Sequence, residues 1–350
     1  MSRLVIKNIP LAAHTTLQIG GVADYFAEVT TTKELQEALQ FAQAQAVPVF
    51  VLGGGSNVLF PDAGYRGLVI KNSIVQRQVD VDGEMVQVTA GAGENWDEFV
   101  SDMCEHGYWG IENLSAIPGT VGATPIQNVG AYGVEVSQVI TQVTAIHKET
   151  VQEKQFTPAE CQFGYRDSYF KSPAGKQWVV TAVMCTLSTS PAPQLQYADL
   201  QALQTQEPLT PLAIRQAVMQ IRAQKFPDWS EVGTAGSFFK NPIVTAEHYT
   251  RLKEQYPDLS AHQTSGGDWK LSLGWILDVV CGLKGSCVGG VCLYEKQALV
   301  LTATDATAAD VQKFVALVTQ NVFEKTDIHI EPEVLLVKSE MPENIIPTLE

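Results

Sequence analysis

The apolar positions first fall into a clear order between Asp24 and Leu52. Asp24 to Val29 reads as a strand. Thr31-Thr32-Lys33-Glu34 is a capping-box pattern, and Leu35, Ala38, Leu39 and Ala42 follow at helical spacing, which predicts an amphipathic helix. Pro48-Val49-Phe50-Val51-Leu52 reads as a buried strand that runs into Gly53-Gly54-Gly55-Ser56-Asn57. From Leu68 to Ala90 the texture changes to short strands, with a hairpin over Val79 to Val88 turned at Asp82-Gly83. An amphipathic helix is predicted over about Trp96 to His106.

Gln138 to His147 and Trp178 to Leu187 read as strands. Between them, Thr157-Pro158-Ala159-Glu160 caps a short helix that leads into Gly164-Tyr165-Arg166-Asp167-Ser168. A helix starts at Thr210-Pro211, with proline at its first position, and runs to about Gln224. Beyond Pro227 the pattern is α/β again. It predicts a helix from Thr245, a strand around Ala298 to Leu301, a helix from Thr307 to about Phe323 and a strand from Ile328 to Val337. The segment Ile117 to Gly133 is too long for a simple turn and too apolar for a disordered linker, so a functional loop is expected there. No internal repeat or low-complexity segment is visible.

A chain of 350 residues exceeds what one core usually spans, so two or three domains are expected. Hydrophobic content of 45% and charged content of 17% fit an ordinary globular protein. The net charge of −15 argues against nucleic acid or an anionic membrane as the main partner, while leaving room for a local basic pocket. No apolar run is long enough to span a bilayer, and Lys7 and Pro10 interrupt any signal-peptide pattern at the N-terminus. Cys104, Cys161, Cys185, Cys281, Cys287 and Cys292 are scattered without a C-x-x-C, so no metal site is expected. They read as buried thiols, with a reducing, cytosolic compartment as the default.

Several short motifs carry candidate chemistry, each beside a plainer reading. Gly53-Gly54-Gly55-Ser56-Asn57 lets the backbone approach a ligand and aim N–H groups at phosphate oxygens, or it is a tight turn. The chain has no full G-x-G-x-x-G, because Gly91-Ala92-Gly93-Glu94-Asn95 ends in Trp96, and no G-K-[ST]; Rossmann and P-loop sites are therefore disfavoured. Pro118 to Ala123 and Gln127 to Gly133 offer backbone donors to a phosphate or ring, or form an Ω-loop packed by its own side chains. Ser237, in Gly236-Ser237-Phe238-Phe239-Lys240-Asn241-Pro242, lacks a G-x-S-x-G context and an adjacent base, so it is no activated nucleophile. It remains a proton donor or a turn serine. Glu331 and Glu333 flank Pro332 on an extended segment, where alternation puts both on one face; they are a buried acid with a solvated neighbour, or edge charges. Arg166 is a carboxylate-orienting fork or a surface ion pair, and His14 and the other histidines read as structural.

These motifs, in this order, resemble the UDP-N-acetylenolpyruvoylglucosamine reductase family over nearly the whole chain, in its longer, enterobacterial-type form. The resemblance rests on His14-Thr15-Thr16 with Gly20 to Ala23, Gly53 to Asn57, Ile117 to Ala123, Pro125 to Gly133 and Phe163 to Ser168. It continues through Gly236 to Pro242, Gly274 to Asp278, Gly282 to Gly285 and Glu331 to Val334; between Tyr249 and Asp268 no diagnostic residues occur. It implies an α+β chain with a vanillyl-alcohol-oxidase/PCMH-type FAD-binding fold and a C-terminal α/β substrate-binding domain. The expected units are an FAD subdomain over 1–67 joined by 338–350, a second over 68–226, and the substrate domain over 227–337.

The resemblance further implies noncovalent FAD, with NADPH as co-substrate and both substrates visiting one flavin face in turn. The reaction would reduce enolpyruvyl-UDP-N-acetylglucosamine to UDP-N-acetylmuramate for peptidoglycan, as a UDP-N-acetylmuramate dehydrogenase acting as a cytoplasmic monomer. Matched by motif, Ser237 is the proton donor, and Arg166 and Glu333 stabilise the developing enolate. The expected cofactor residues are Gly53, Gly54, Gly55, Ser56, Asn57, Pro118, Gly119, Gly122, Ala123, Thr124, Ile126, Asn128, Gly130, Ala131, Tyr132, Gly133 and Arg222. Tyr132, Tyr197, Lys225, Asn241, Lys284 and Gln297 are expected at the substrate. Two anionic substrates on an acidic protein imply a basic lining, expected from Arg166, Lys225, Lys240 and Lys284. The alternatives are another FAD-dependent oxidoreductase of this fold, which would lack the Ser237 and Glu331-Pro332-Glu333 motifs, and a non-catalytic FAD- or UDP-sugar-binding protein.

Overall fold

Three sheet-bearing layers contribute residues to one cavity in the computed structural model, which describes residues 4–205, 207–264 and 266–339. The first layer holds β1 (Val5–Pro10), β2 (Val22–Val29), α1 (Thr32–Ala44), β3 (Val49–Leu52), β4 (Val58–Leu59) and β5 (Tyr65–Asn72). Its sheet runs β1-β2-β5-β3; β1 is antiparallel to β2, and β5 is parallel to both β2 and β3. Thr31 caps α1 by accepting from the Glu34 amide, while the Glu34 carboxylate takes the Thr30 amide instead of completing a box with Thr31. Leu35, Ala38, Leu39 and Ala42 are buried against Ala27, Val29, Leu68 and Ile70, as the helical spacing predicts. β3 is mostly half-buried rather than fully buried as expected, because only one of its edges is covered by a neighbouring strand. β5 crosses the subdomain boundary expected at 67/68, since its last residues complete the first sheet.

The second layer is an antiparallel sheet with a helical cover. In chain order it holds β6 (Arg77–Asp82), β7 (Met85–Gly91), α2 (Trp96–Glu105), β8 (Gly130–Ala131), β9 (Val134–Glu135), β10 (Ile140–His147), β11 (Glu153–Phe156), α3 (Pro158–Cys161), β12 (Trp178–Ser188) and α4 (Pro211–Lys225). The strand order is β11-β10-β12-β7-β6. The β6–β7 turn sits one residue later than the Asp82-Gly83 expected: Asp82 pairs with Met85, leaving Gly83 and Glu84 at the tip, with Gly83 at φ 59°. Trp96, Phe99, Val100 and Met103 of α2 are buried against the sheet.

The third layer carries β13 (Gly233–Ser237), β14 (Ile243–Val244), α5 (Ala246–Gln255), β15 (Ala261–Gln263), β16 (Trp269–Leu271), α6 (Leu273–Trp275), β17 (Cys287–Val288), β18 (Val291–Leu293), β19 (Val300–Ala303) and α7 (Ala308–Thr326). One sheet runs β13-β19-β18-β17 and a smaller one β14-β16-β15. The chain then leaves this layer. β20 (Leu335–Leu336) pairs in parallel with β4 of the first layer, so the strand expected over Ile328 to Val337 is reduced to this short pair and one bridge, Phe239 to Pro332. Residues 340–350 of the expected joining segment lie outside the described residues; Val337 still donates to the Leu59 carbonyl.

The cysteine expectation needs correction. Cys104, Cys161, Cys185 and Cys281 are buried free thiols, but Cys287 and Cys292 form a disulfide. The β17–β18 register puts them directly opposite, with Gly289-Gly290 at the turn, a relation that spacing alone does not reveal. The cysteines therefore no longer support a reducing compartment by themselves. Among the described residues no helix is long and apolar enough to cross a membrane, and no group of histidine, cysteine and acidic residues is arranged to hold a metal ion.

Candidate active site

Ser237 reaches the crevice because its strand is irregular. Thr234 pairs with Thr302 and Ser237 with Val300, so three steps on β13 match two on β19. That extra residue is a β-bulge, and Gly236 at φ 70° occupies the left-handed position it requires. The bulge turns the half-buried Ser237 toward a cavity of about 520 Å³. Phe238 and Phe239, 0% and 1% exposed, pack edge to face behind it at 5.3 Å. Each fully buried ring contributes roughly 1.5–3 kcal/mol to holding the strand.

Glu333 arrives at the same wall through a short antiparallel pairing. The Glu333 amide donates to the Phe238 carbonyl at 2.7 Å, and the Lys240 amide to the Glu331 carbonyl at 3.0 Å. Although alternation predicts one face for both acids, their exposures diverge: the Glu331 side chain is 74% exposed and pairs with Lys240, while that of Glu333 is 15% exposed. Burial raises the Glu333 carboxyl above the usual carboxylate range, against the pull of Arg166, Lys171 and Lys240. Arg166 Nε lies 3.1 Å from Glu333 Oε1. Its backbone is unusual too. Gly164 and Asp167 close a turn by two mutual hydrogen bonds, and Arg166 occupies it at φ 52°, a conformation that costs a non-glycine residue on the order of 1 kcal/mol or more. The guanidinium is further tied to the Gly130 carbonyl. Arg166 is thus aimed at the cavity by backbone it strains.

A second cavity of about 430 Å³ adjoins the first and shares Ser56, Asn57, Ile117, Pro118, Gln127, Val129 and Glu333 with it. Gly53, Gly54, Gly55, Ser56, Asn57, Pro118, Gly119, Ala123, Thr124 and Ile126 line it. The two loops are backbone against backbone. A Cβ on Gly54 would lie 2.9 Å from Gly119 Cα, and one on Gly55 would meet the His14 carbonyl at 2.0 Å. Walls built of bare peptide, with Lys171, Lys176 and Lys240 nearby, suit an anionic, extended ligand such as a dinucleotide pyrophosphate. Gly130, Ala131, Arg222 and Asn241 line the first cavity.

Other expected residues do not line either cavity. Gly122 is a packing glycine, since its Cβ would fall 2.4 Å from that of Ala92. Asn128 is buried and braces the loop, bonding Glu135, the Gly164 carbonyl and the Ser137 amide. Tyr132 and Gly133, at φ 49° and 84°, are the tip of the β8–β9 hairpin. The Tyr132 ring meets Tyr197 edge to face at 5.2 Å, and Tyr197 is 41% exposed. Lys225 is paired with Asp199, Lys284 with Asp278, and the Gln297 side chain accepts the Leu299 amide. The basic lining expected from Arg166, Lys225, Lys240 and Lys284 is therefore corrected: Arg166, Lys240, Arg222, Lys171 and Lys176 supply it, while Lys225 and Lys284 lie outside both cavities, paired with Asp199 and Asp278.

Sequence reading missed several wall residues. Tyr165 lines the first cavity beneath the Lys270 ammonium, which lies 4.7 Å from its ring centroid. Burial raises the Tyr165 hydroxyl and lowers the Lys270 ammonium. Gln127 accepts the Asn57 amide at 2.6 Å, and Phe226 and Trp229 edge the mouth. The motifs held Tyr165 and Gln127 in plain view, whereas nothing local marks Lys270.

Residues 23–150 match the family described as FAD binding domain, and residues 228–337 match the C-terminal domain of UDP-N-acetylenolpyruvoylglucosamine reductase. A UDP-N-acetylenolpyruvoylglucosamine reductase of Burkholderia ambifaria is 39% identical over 340 residues, covering 95% of this chain and 97% of that one. One from Bdellovibrio bacteriovorus is 41% identical over 327 residues, covering 92% and 96%. The crystal structure of UDP-N-acetylenolpyruvylglucosamine reductase from Thermus caldophilus is similar at a TM-score of 0.66 and 25% identity, covering 94% of this chain and 98% of that one. The fold is the vanillyl-alcohol-oxidase/PCMH-type FAD-binding fold with an added C-terminal domain.

Proposed function

Because the chain belongs to the UDP-N-acetylenolpyruvoylglucosamine reductase family, we propose that it reduces enolpyruvyl-UDP-N-acetylglucosamine to UDP-N-acetylmuramate with FAD and NADPH, a step of peptidoglycan precursor synthesis. The observation that carries this reading is the convergence of Ser237, Arg166 and Glu333 on one cavity wall beside the glycine loops. The reading carries with it a cytoplasmic, monomeric enzyme with an FAD-binding part in two α+β layers and a substrate domain from about residue 227.

The backbone of Gly53–Asn57 and Pro118–Gly119 would hold the noncovalent FAD, with Arg222 at its far wall. FAD bound there would supply hydride transfer from NADPH to the substrate double bond. The protein's part is to manage the charge that follows. Negative charge collects on the carbon next to the substrate carboxylate and spreads into that carboxylate. The Arg166 fork offers a permanent cation there. Burial raises the Glu333 carboxyl and so favours the protonated form, which would donate a hydrogen bond to the same oxygens. The Ser237 hydroxyl then gives its proton to the carbon. Serine is a very weak acid, but the carbanion is a strong base, so the transfer runs downhill. Asn241 lines the cavity, where its Oδ1 accepts the Leu273 amide and its side chain also hydrogen-bonds Tyr165.

Purified protein is expected to be yellow. Anaerobic NADPH should bleach it, and enolpyruvyl-UDP-N-acetylglucosamine should restore the colour. A colourless protein that takes up no added FAD sinks the reading. Bleaching without recovery points to another oxidoreductase of this fold, and colour without bleaching to a binding protein. Gly55→Ala tests the cradle separately. At φ 66°, against the His14 carbonyl, the new methyl group costs on the order of 1–3 kcal/mol in backbone strain alone. Flavin content per chain should fall at least about fivefold; unchanged flavin content would remove this loop from the cofactor site.

A further inference from the structure

The loop that forms the shared wall of both cavities is held from outside, by the first turn of α2. Trp96 Nε1 donates to the Leu114 carbonyl at 2.9 Å, and the Trp96 amide donates to the Gly119 carbonyl at 3.1 Å. Between these clamps, the Ala116 amide donates to Asp97 Oδ1. Ala116 needs the support, because it sits at φ 57°, where an alanine is strained. Its carbonyl faces the other way and accepts from Arg222 Nε at 3.0 Å. One residue is thus gripped by an acid on its amide and a base on its carbonyl. Arg222 and Ala116 both line the first cavity.

Asp97 is itself locked. Arg215, 6% exposed, places both terminal nitrogens on the two Asp97 oxygens, one at 3.0 Å. Arg215 and Arg222 lie about two turns apart on α4, so one carboxylate faces both. Burial alone would raise the Asp97 carboxyl, but the bonds from Arg215 and the Ala116 amide outweigh it and hold the group ionised.

We propose that Asp97, locked by Arg215, is a positioning residue of the cofactor site, fixing the backbone of Ala116 and through it the Arg222 guanidinium and the Ile117–Gly119 wall. The proposal rests on the reading of this crevice as an FAD site. It differs from a plain structural role because the pair itself is replaceable: Arg215 is buried and Asp97 partly so, and exchanging a desolvated ion pair for apolar side chains often leaves stability unchanged. The acceptor for the Ala116 amide is not replaceable in that way.

Two double variants separate the roles. Asp97→Leu/Arg215→Leu removes both the charges and the acceptor. Asp97→Asn/Arg215→Leu removes the charges but keeps a carbonyl oxygen for the Ala116 amide. Both apoproteins are expected to melt close to wild type. In fluorescence titrations with FAD, the leucine pair should bind about tenfold more weakly than wild type, and the asparagine variant should recover most of the loss. Arg215→Lys, which keeps the charge but not the fork, provides a milder third case and should bind FAD a fewfold more weakly at unchanged melting temperature. Equal FAD affinity across wild type and these variants overturns the proposal alone. Wild type that binds no FAD overturns it together with the site reading.

Discussion

Ser237→Ala is expected to lower turnover about 10²- to 10⁴-fold while leaving bleaching of the flavin by NADPH at the wild-type rate. The separation follows from position. Ser237 belongs to the third layer, whereas the loops that would hold the flavin belong to the first two. Its aim comes from the Gly236 bulge and from Phe238 and Phe239 behind it, none of which needs the hydroxyl. Alanine should therefore leave the strand, the cavity and the cofactor in place and remove only the proton. Anaerobic stopped-flow measurement of the two half-reactions checks this. Reoxidation by substrate should slow and reduction by NADPH should not. A variant that turns over at the wild-type rate would end the role assigned to Ser237.

Arg166→Met should cost stability as well as activity. It leaves Glu333 buried without the cation 3.1 Å from it, a loss on the order of 3–5 kcal/mol. It also frees the Gly130 carbonyl and with it the β8–β9 hairpin. The sign of the pH dependence is fixed. Glu333 is already raised by burial, and removing Arg166 withdraws the first of the three cations that hold it down. A carboxyl with a folded value above its unfolded one adds stability that is complete below the ordinary carboxylate value and lost as pH rises through the raised one. Thermal melting of Arg166→Met should therefore deepen its deficit as pH rises above the ordinary carboxylate range. Adding Glu333→Gln should abolish that dependence and recover much of the melting temperature without restoring turnover. A deficit that is flat with pH, or a double variant as inactive in folding as the single, would contradict the buried-acid account of Glu333.

Local patterns made much of the fold legible. The helices at 32–44, 96–105, 211–225, 246–255 and 308–326 begin at caps written in the chain: Thr31, Asn95, Thr210, Thr245 and Thr307. Such caps are readable because the side chain that accepts the orphan amides is a near neighbour in sequence. The glycine loops were legible for a related reason. Glycine runs after a strand announce backbone that must come close to something, and here Gly54 and Gly55 come close to Gly119 and His14.

Pairings across the chain were not legible, and they decide the site. Alternation put Glu331 and Glu333 on one face, but the pairing with Phe238–Lys240 leaves the first in water and seats the second beside Arg166. Lys225 and Lys284 looked free for anionic substrate until Asp199 and Asp278 took them. Cys287 and Cys292 looked like separate thiols until the hairpin register set them opposite. Asp97 is an acid of the first turn of α2, and nothing near it in sequence points to Arg215 or Ala116.

By itself, then, the sequence determined where helices start, where the backbone must be bare, and which residue types are present for the chemistry. Only the tertiary structure decided which of those residues meet, which acid is buried, and which bases line the cavities. The physical reason is the range of the forces. Caps, turns and amphipathic faces act within a turn or two of chain, whereas desolvation and charge pairing depend on every neighbour in space, whatever its number.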